Sequence, residues 1–583
     1  MSERTNVCRP KRVEGDFPRA HFRRGKTKPK GVVWFGVTSF WGHLRHFLAS
    51  AIATEDVDSR DWMSPDVPND LVARIATRLG GTSSGATLSE CFEHDLWIDF
   101  VADTGDDVEV SARVAELIAR VYELPDPDTG APLLAPRGEI LFFGGDTAYP
   151  VATSEEINNR VMVPFNRVLS RCDDGRLRVL LGIPGNHDWY DGLDGFARMF
   201  RRRPDQDDDE APPSVVNIEQ HAIEKYADWA RQFMKGGHIE KLKTLNLIGY
   251  QPMQSASYFL LPLTPRIHLF AVDRQLKRLD YRQRRFFGDW RLRHPQMAPW
   301  VVLPDPPLKF GEPARNGMLM IQALNLRIGK ERALIMTGDI HHYERWSEHE
   351  TDFVTAGGGG AFLHPSRIHG RHLAPRAVEW PGPRQSARLL RGVPWKVARG
   401  RSGFIPHLVY GLMFAPQTWI ALTDGASLPA QLGATLVVLL LTAPVYALIG
   451  GVRRGRTLFV SCLALLAGTF TALIPLGMLH CTALGLHLVG RQPDLVVEAA
   501  LALLLSSFTS AFVFGLYLAL LTRVGLEHTQ AFTALDHPGY KHFLRLRVRA
   551  GHDRIDAWCI GMTDPLDLNA EPELVDQFSF EVN

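Results

Sequence analysis

Three long stretches without a charged side chain occupy the C-terminal part of this 583-residue chain. Gly425 to Val452, Thr457 to Gly490 and Ala499 to Thr522 contain no Asp, Glu, Lys or Arg. Each stretch exceeds the roughly 18 to 20 apolar residues that a helix needs to cross a bilayer. Three buried core helices of that length would be exceptional in a soluble domain, so the sequence predicts a membrane-spanning helical region.

A fourth stretch, Ser402 to Thr423, is also free of formal charge, although Pro406 and Pro416 interrupt it. Four spans place every flanking basic cluster on one side of the bilayer, as the positive-inside rule requires. These clusters are Lys396, Arg399 and Arg401, then Arg453, Arg454 and Arg456, and finally Arg523. We therefore expect about four helices within 402–523, in a multi-pass protein of the cell membrane whose soluble parts are cytoplasmic.

Composition and cysteine usage agree with a cytoplasmic front part. With 45% hydrophobic residues, 22% charged residues and a net charge of +1, the chain is typical neither of disorder nor of a protein that coats nucleic acid, so no nucleic-acid partner is expected. The six cysteines form no CxxC pair, which favours a reducing compartment. The first 30 residues contain no continuous apolar core, so no cleaved secretory signal is expected.

Composition also divides the soluble parts of the chain. Residues 1–30 carry ten Lys or Arg against three acids, which predicts a flexible basic arm. The remaining regions are an N-terminal helical extension (31–89), an α/β domain (90–375), a linker (376–401) and, after the membrane region, a soluble tail with β-strands (524–583).

Short apolar runs that alternate with charged, helix-like stretches indicate the α/β domain. The likely strands are LWIDFV, EILFFGG, LRVLLGI, IHLFAV, WVVL and ALIMTG. In the tail, FLRLRV and RIDAWCI flank a predicted hairpin turn at 550–553. Two strands alone are marginally stable, so we expect the tail to pack on the α/β domain or to pair with the edge of its sheet.

Groups that bind metal ions follow four of these strands. They are Asp103 in ADTGDD, Asp146 and Tyr149 in GGDTAYP, Asn186 and His187 in GIPGNHDWYDG, and Asp339 and His341 in TGDIHHYER. Carboxylate, amide, phenolate and imidazole groups are ligands for hard or borderline metals, and loops after buried strands hold them rigidly on one rim of a sheet. A single match is usually a turn or a structural histidine, but four in order are difficult to attribute to turns.

This order of motifs resembles the calcineurin-like metallophosphoesterase superfamily, over roughly residues 90 to 370, with GNHDW as the most specific piece. The resemblance implies a four-layer α/β/β/α sandwich with a dinuclear metal centre at the strand ends, followed here by the C-terminal transmembrane helical bundle. The first two motifs look like the purple acid phosphatase version, in which a tyrosine takes the place of a histidine ligand.

The resemblance also implies a role for each residue. Asp146 bridges both ions, Asp103, Tyr149 and His341 complete the first site, and Asn186 binds the second. His187 contacts the phosphate and protonates or orients the leaving oxygen. Two such cations clamp a phosphoryl group and generate hydroxide near neutral pH, while an imidazole performs acid–base work.

The sequence departs from the family pattern at the second metal. Asp339 stands where the last motif has histidine, and the isolated histidine before proline is replaced by Asp305 in WVVLPDPPLKF. An all-oxygen second site would favour manganese or magnesium over zinc, and a weakened or empty second site is the competing interpretation. The expected cofactors are thus two divalent or mixed-valence ions of Mn, Fe or Zn. His342, Arg345 and His364 are equally well explained as structural residues, and Gly357 to Gly360 as a tight turn.

Two hypotheses follow. The first is a membrane-anchored, metal-dependent phosphoesterase whose partners are the lipid bilayer and a phosphate ester, which anchoring suggests is amphiphilic. The second is a catalytically impaired scaffold or signalling protein that retains the sandwich, for which the loss of two nitrogen ligands is the argument. A transporter has little support, because the spans show neither broken paired helices nor an intramembrane charge.

Overall fold

A computed structural model describes most of the chain. The described residues are 7–13, 31–36, 39, 44, 63–202, 244–274, 279–368, 378–423, 427–451, 456–490 and 495–582. Most of the predicted basic arm, much of the N-terminal extension, and Arg453 and Arg454 lie outside these residues.

Nineteen strands lie in the described residues. In chain order they are β1 Lys11–Arg12, β2 Leu96–Val101, β3 Tyr122–Pro125, β4 Pro132–Ala135, β5 Ile140–Phe143, β6 Arg178–Gly182, β7 Tyr250–Pro252, β8 Phe259–Pro262, β9 Ile267–Ala271, β10 Ala298–Leu303, β11 Leu308–Lys309, β12 Glu312–Pro313, β13 Ala333–Thr337, β14 Tyr343–Glu348, β15 Thr351–Ala356, β16 Val378–Trp380, β17 Lys541–Val548, β18 Arg554–Met562 and β19 Glu573–Glu581.

Fifteen α-helices lie in the described residues. They are α1 Pro68–Arg78, α2 Val108–Ala119, α3 Ser154–Ile157, α4 Val163–Leu169, α5 Asn186–Trp189, α6 Asp194–Phe200, α7 Tyr281–Arg293, α8 Arg315–Ala323, α9 Pro383–Leu389, α10 Val393–Ala398, α11 Ile405–Thr423, α12 Leu428–Gly450, α13 Thr457–Leu488, α14 Leu495–Arg523 and α15 Gln530–Leu535. Helical turns at Ser89–Cys91, Asn158–Met162 and Leu390–Gly392 complete the set.

Two large sheets contain most of the strands. One has the order β1-β19-β18-β17-β2-β5-β6-β7 and the other β16-β14-β15-β13-β10-β9-β8. Each of the six strands expected in the α/β domain is present, as β2, β5, β6, β9, β10 and β13. The central strands β2, β5 and β6 are parallel, as are β9, β10, β13 and β15, which is why their sequences are continuous apolar runs.

Alternate residues of the two sheets share one core. Phe100 and Phe142 of the first sheet and Trp300 and Met336 of the second belong to the same buried cluster. Their sequence neighbours point outward, and helices cover both outer faces: α2 and α4 pack on the first sheet, and α7 and α8 on the second. The mixed α/β class expected from the sequence is confirmed, together with long apolar helices at the C-terminal end.

The C-terminal tail is an internal part of the first sheet. Strand β17 pairs antiparallel with β2 on one side and with β18 on the other, through the expected hairpin. The expected pairing of the tail with the α/β domain is therefore confirmed, and three of the eight strands of this sheet come from residues beyond 540. The region expected to be a linker, 376–401, contains β16, α9 and α10. In the extension 31–89, helix α1 and the turn that begins at Ser89 are described.

Three of the described helices are long and apolar enough to cross a membrane: α12, α13 and α14. The fourth expected segment forms α11, a 19-residue helix interrupted by Pro416, which packs beside them without itself reaching that apolarity. Its hydroxyl and amide groups are paired across the bundle: Tyr410 Oη lies 2.9 Å from Tyr446 Oη, and Gln417 Nε2 donates to Thr435 Oγ1 at 2.9 Å. These contacts make α11 and α12 antiparallel neighbours.

Candidate metal centre

The four motif loops follow strands of both sheets. Asp103 follows β2, Asp146 follows β5 and Asn186 follows β6, at the carboxyl ends of three parallel strands. Asp339 follows β13 in the second sheet. The backbone N–H of Asp339 donates to Asp103 Oδ2 at 2.8 Å, which joins the two sheets at this edge. The carboxyl ends of parallel strands are where α/β proteins bind ligands.

Three of the loop aspartates adopt a left-handed backbone. The φ angles are 58° at Asp103, 48° at Asp146 and 65° at Asp339. Such angles cost free energy for residues other than glycine and concentrate at functional sites, where the surrounding structure enforces them. Glycines allow the loops to approach: a Cβ on Gly357 would lie 2.5 Å from Asp103 Oδ2, and one on Gly185 would lie 2.1 Å from Asp146 Oδ1. The Gly357 region is therefore a packing surface for the site as well as a turn.

The phenol of Tyr149 is the point where the first-site residues meet. Its oxygen lies 2.9 Å from Asp103 Oδ1, 3.4 Å from Asp146 Oδ2 and 3.1 Å from His341 Nε2. His341 Nε2 lies 3.6 Å from Asp103 Oδ1. Tyr149 and its three neighbours are each at most 4% exposed. The structure thus brings together the four residues expected to hold the first metal.

With a neutral imidazole and ionised carboxylates, these four residues have too few protons for their close contacts. His341 Nδ1 lies 2.7 Å from the carbonyl oxygen of Phe362, which can only accept, so in the neutral ring Nδ1 carries the proton and Nε2 is an acceptor. The Tyr149 hydroxyl then has one proton for three acceptors. Ligands about 2.1 Å from one ion lie about 3 Å apart when they are cis, which is the spacing seen here. One hydroxyl proton cannot satisfy three acceptors, whereas a cation bound among these atoms would satisfy all of them.

The pKa shifts of these buried groups also favour a bound cation. Burial raises the pKa of Asp103, and burial together with Asp103, Asp188 and Asp339 raises the pKa of Asp146 well above its usual value. Burial raises the pKa of Asp188 to about 7, although Gly185 N–H donates to it at 2.8 Å. Burial and the neighbouring Asp103 also raise the pKa of Tyr149. Carboxylates that repel one another in a dry site favour a bound cation, and oxygen donors with one imidazole suit manganese, iron or zinc.

Among the described residues, no three His, Cys, Asp or Glu side chains form a metal-binding group by themselves. The first-site residues are grouped around the phenol of Tyr149, and tyrosine is not one of those four residue types. Asp103, Asp146, Tyr149 and His341 would hold the ion.

His187 lies beside this cluster. Its backbone N–H donates to Asp146 Oδ1 at 2.8 Å, and its ring centroid is 4.4 Å from that of Tyr149. Its Nδ1 lies 2.7 Å from the carbonyl oxygen of Pro150, so the neutral ring carries its proton on Nδ1 and presents Nε2 as the basic atom. This placement agrees with an acid–base group next to the first-site residues.

The residues expected at the second metal have different partners. Lys309 Nζ is ion-paired with Asp339 and lies 3.3 Å from Asp305 Oδ1. Arg274 is ion-paired with the other oxygen of Asp305. Asn186 Nδ2 donates to Tyr190 Oη at 3.1 Å, and no contact among the described residues joins Asn186 to Asp305 or Asp339. With these carboxylates engaged by cationic side chains, the second donor set does not fit a metal ion.

Other residues near the motifs have structural partners. His364 stacks on His341 with ring centroids 4.0 Å apart, and its Nδ1 accepts the His341 backbone N–H at 3.1 Å, so it holds His341 in position. His342 Nε2 lies 3.2 Å from Glu344. Arg345 pairs with Asp576 of the tail.

Sequence reasoning missed two residues that touch the site. Lys309 follows Asp305 by four residues, a spacing that gives a sequence signal for an ion pair. Trp34 gives no such signal, yet its ring lies 5.8 Å from Tyr149 and 6.2 Å from His187. Its indole N–H is buried without a hydrogen-bond partner among the described residues. Trp34 forms one wall of the site.

A large cavity lies elsewhere. It has a volume of about 1300 Å³ and is lined by residues of α7, of the 324–332 segment and of the tail, and none of the candidate metal or acid–base residues contributes to it. The chemistry of the donor groups, and not cavity size, therefore identifies the candidate site.

No protein-family model matches the chain, and no curated protein matches it. Among solved structures, one similarity is to GAP50, the anchor in the inner membrane complex of Plasmodium, at 9% identity and a TM-score of 0.29. The alignment covers 49% of this chain and 78% of that chain.

Proposed function

We propose that the protein is a membrane-anchored, metal-dependent phosphoesterase of the calcineurin-like metallophosphoesterase type. The observation that carries this proposal is the convergence of Asp103, Asp146 and His341 on the phenol of Tyr149. The shared core of two sheets covered by helices on both outer faces supports the four-layer sandwich of that superfamily. The order of the motifs along the chain supports it independently.

The chain's own residues have distinct tasks in this reaction. A metal ion held by Asp103, Asp146, Tyr149 and His341 would supply charge stabilisation for the phosphoryl group and an acidified water. His187 is oriented by the carbonyl of Pro150, so that its Nε2 can accept or return a proton at the leaving oxygen. Trp34 and Tyr149 exclude water from one side of the site, which strengthens the local electrostatic interactions.

Four membrane crossings account for the arrangement of the bundle ends. Ser402, which precedes α11, donates to the carbonyl of Ala534 beyond α14, and Arg456 at the start of α13 donates to Gly525 O at 3.4 Å. The chain thus enters and leaves the bundle at one end. If α12, α13 and α14 cross, α11 must cross too, because it carries the chain from this end to the start of α12. Its 19 residues extend about 28 Å, close to a hydrocarbon core.

The same end of the bundle carries the basic residues, including Arg456 and Arg523, and the soluble sheets. By the positive-inside rule, this end faces the cytoplasm. The phosphoesterase domain and the tail would then lie together beneath the inner surface of the cell membrane.

A short segment links the site to the bundle. Trp34 contacts Tyr149, and the adjacent Phe35 donates its N–H to Ser402 O at 2.8 Å and accepts from Ile405 N–H at 3.1 Å. Trp34 lies beside the site, and the next residue, Phe35, is hydrogen-bonded to the start of α11. This proximity favours a phosphate ester at the membrane surface, including an amphiphilic one.

A non-catalytic scaffold or signalling protein is the second candidate. The observation that favours it is the engagement of Asp305 and Asp339 by Arg274 and Lys309, which removes the donors of a second metal. Such a protein would bind one ion without turnover.

Hydrolysis by the full-length protein tests the proposal. Protein purified in detergent, stripped with a chelator and reloaded with Mn²⁺ is expected to hydrolyse an aryl phosphate monoester or diester, and the stripped protein is not. His187→Ala should reduce turnover by about 10²- to 10⁴-fold through loss of acid–base catalysis, whereas His349→Ala, at an exposed site, should not. Metal binding without hydrolysis of either ester under Mn²⁺, Fe²⁺ or Zn²⁺ would favour the scaffold.

A further inference from the structure

Four charged side chains form an ion-pair cluster beside the first-site residues. Asp305 contacts both Arg274 and Lys309, and Asp339 contacts Lys309. Each of the two carboxylates therefore has a cationic partner. Asp339 also connects to the first site, since its backbone N–H donates to Asp103 Oδ2 at 2.8 Å.

The carboxylates of the first site lack such ion pairs. Among the described residues, no Lys or Arg lies within ion-pair distance of Asp103 or Asp146, and the one ion pair formed there joins Asp103 Oδ1 to His341 Nε2 at 3.6 Å. A divalent ion is therefore favoured at the first site, whereas at the second it would have to compete with the cations that already pair with Asp305 and Asp339.

The position of Lys309 is set by the fold. It ends β11, which pairs with β12 in a tight hairpin whose tip is Phe310 and Gly311. The Phe310 ring stacks on His528 with centroids 4.6 Å apart, which ties the hairpin to the segment after α14. Lysine carries three N–H donors, of which Asp305 and Asp339 take two, and its side chain keeps 29% of its surface exposed. One donor can therefore face a ligand.

We propose that Lys309 replaces the second metal ion, so that the centre consists of one metal and one ammonium group that together bind the phosphoryl oxygens. This inference rests on the proposed function and deepens it. The Lys309 Nζ donates a charge-assisted hydrogen bond to a phosphoryl oxygen, with Asp305 and Asp339 holding it in place and Arg274 compensating Asp305. The expected substrate is an anionic phosphate that bridges the two cations.

Metal content and phosphate binding of the full-length protein test this assignment without relying on turnover. The wild-type protein, equilibrated with Mn²⁺ and freed of excess ion, is expected to retain one Mn²⁺ per chain. Its affinity for inorganic phosphate, measured calorimetrically, should fall about 10- to 100-fold in Lys309→Met, because a charge-assisted hydrogen bond is lost. Lys309→Arg keeps the charge and should restore part of the affinity. Lys330→Met, at an exposed turn, is the matched control and should bind like wild type.

Each outcome is decisive. One ion per chain with weakened phosphate binding in Lys309→Met supports the assignment, and a second Mn²⁺ in that variant strengthens it, since Asp305 and Asp339 are then released. Two ions in the wild type overturn it and leave the proposed phosphoesterase intact. Unchanged phosphate affinity in Lys309→Met also overturns it. No bound ion in the wild type contradicts the proposed function itself.

Discussion

Replacing Asp146 with Asn is expected to abolish metal-dependent hydrolysis while leaving the metal-free protein at least as stable as the wild type. Asp146 is buried, and its carboxylate contacts Tyr149 and the backbone of His187. Loss of an outer-shell partner of a metal costs about 10- to 100-fold, so loss of a direct ligand should exceed 100-fold in kcat/KM. The isosteric amide also removes the repulsion from Asp103, Asp188 and Asp339.

The test is specific because Asp146→Asn should lower the activity without lowering the stability of the metal-free protein. Thermal unfolding in chelator should show a Tm equal to or above that of the wild type, and titration with Mn²⁺ should no longer raise it. Asp289→Asn, on the exposed face of α7, is the control and should change neither quantity. A folded Asp146→Asn protein that keeps hydrolysis within about threefold of wild type would show that this carboxylate is not a ligand.

Replacing Arg545 with Leu is expected to destabilise the soluble part of the protein by about 3 to 5 kcal/mol. The guanidinium of Arg545 and the carboxylate of Asp99 are both fully buried and form two hydrogen bonds of 2.7 and 3.0 Å. The remaining N–H groups donate to the carbonyls of Arg120, Ala135 and Ile118. Removal of the cation leaves Asp99 buried without its charge partner between β17 and β2.

Chemical unfolding of the full-length protein in detergent measures this effect, with Arg171→Leu at an exposed position as control. The double variant Asp99→Leu/Arg545→Leu should recover part of the loss, because a buried ion pair replaced by apolar side chains is often nearly neutral. If Arg545→Leu unfolds within about 0.5 kcal/mol of the wild type, the tail is not integral to the domain.

The strands and the first-site residues could be predicted from the sequence because their signals are local. Buried parallel strands are apolar runs, so strands such as LWIDFV and ALIMTG could be recognised in the sequence. Each motif directly follows such a run, so the positions of Asp103, Asp146 and His341 at the strand ends could be predicted as well. The long apolar helices could be predicted for the same reason. Whether these residues bind a metal stays a prediction.

Pairing of the tail with the α/β domain was expected from the sequence, but the individual residues that meet across long distances in the chain could not be predicted. Asp99 and Arg545 are 446 positions apart, and neither charge pattern nor periodicity indicates that β17 lies inside the sheet next to β2. Trp34 reaches the site from the N-terminal extension, whose sequence does not indicate this contact. Lys309 engages both Asp305 and Asp339, and only the first of these lies within helical or hairpin range in sequence. Contacts between distant segments depend on topology, which one sequence does not encode locally.

Locating the ion is the most direct test of the central claim, that the residues around Tyr149 form a metal site. Crystals of the full-length protein grown with Mn²⁺ should give an anomalous difference peak about 2.0 to 2.3 Å from the carboxylates of Asp103 and Asp146 and from His341 Nε2. Absence of a peak among these residues at saturating Mn²⁺, with Tyr149 still hydrogen-bonded to Asp103, would contradict the account.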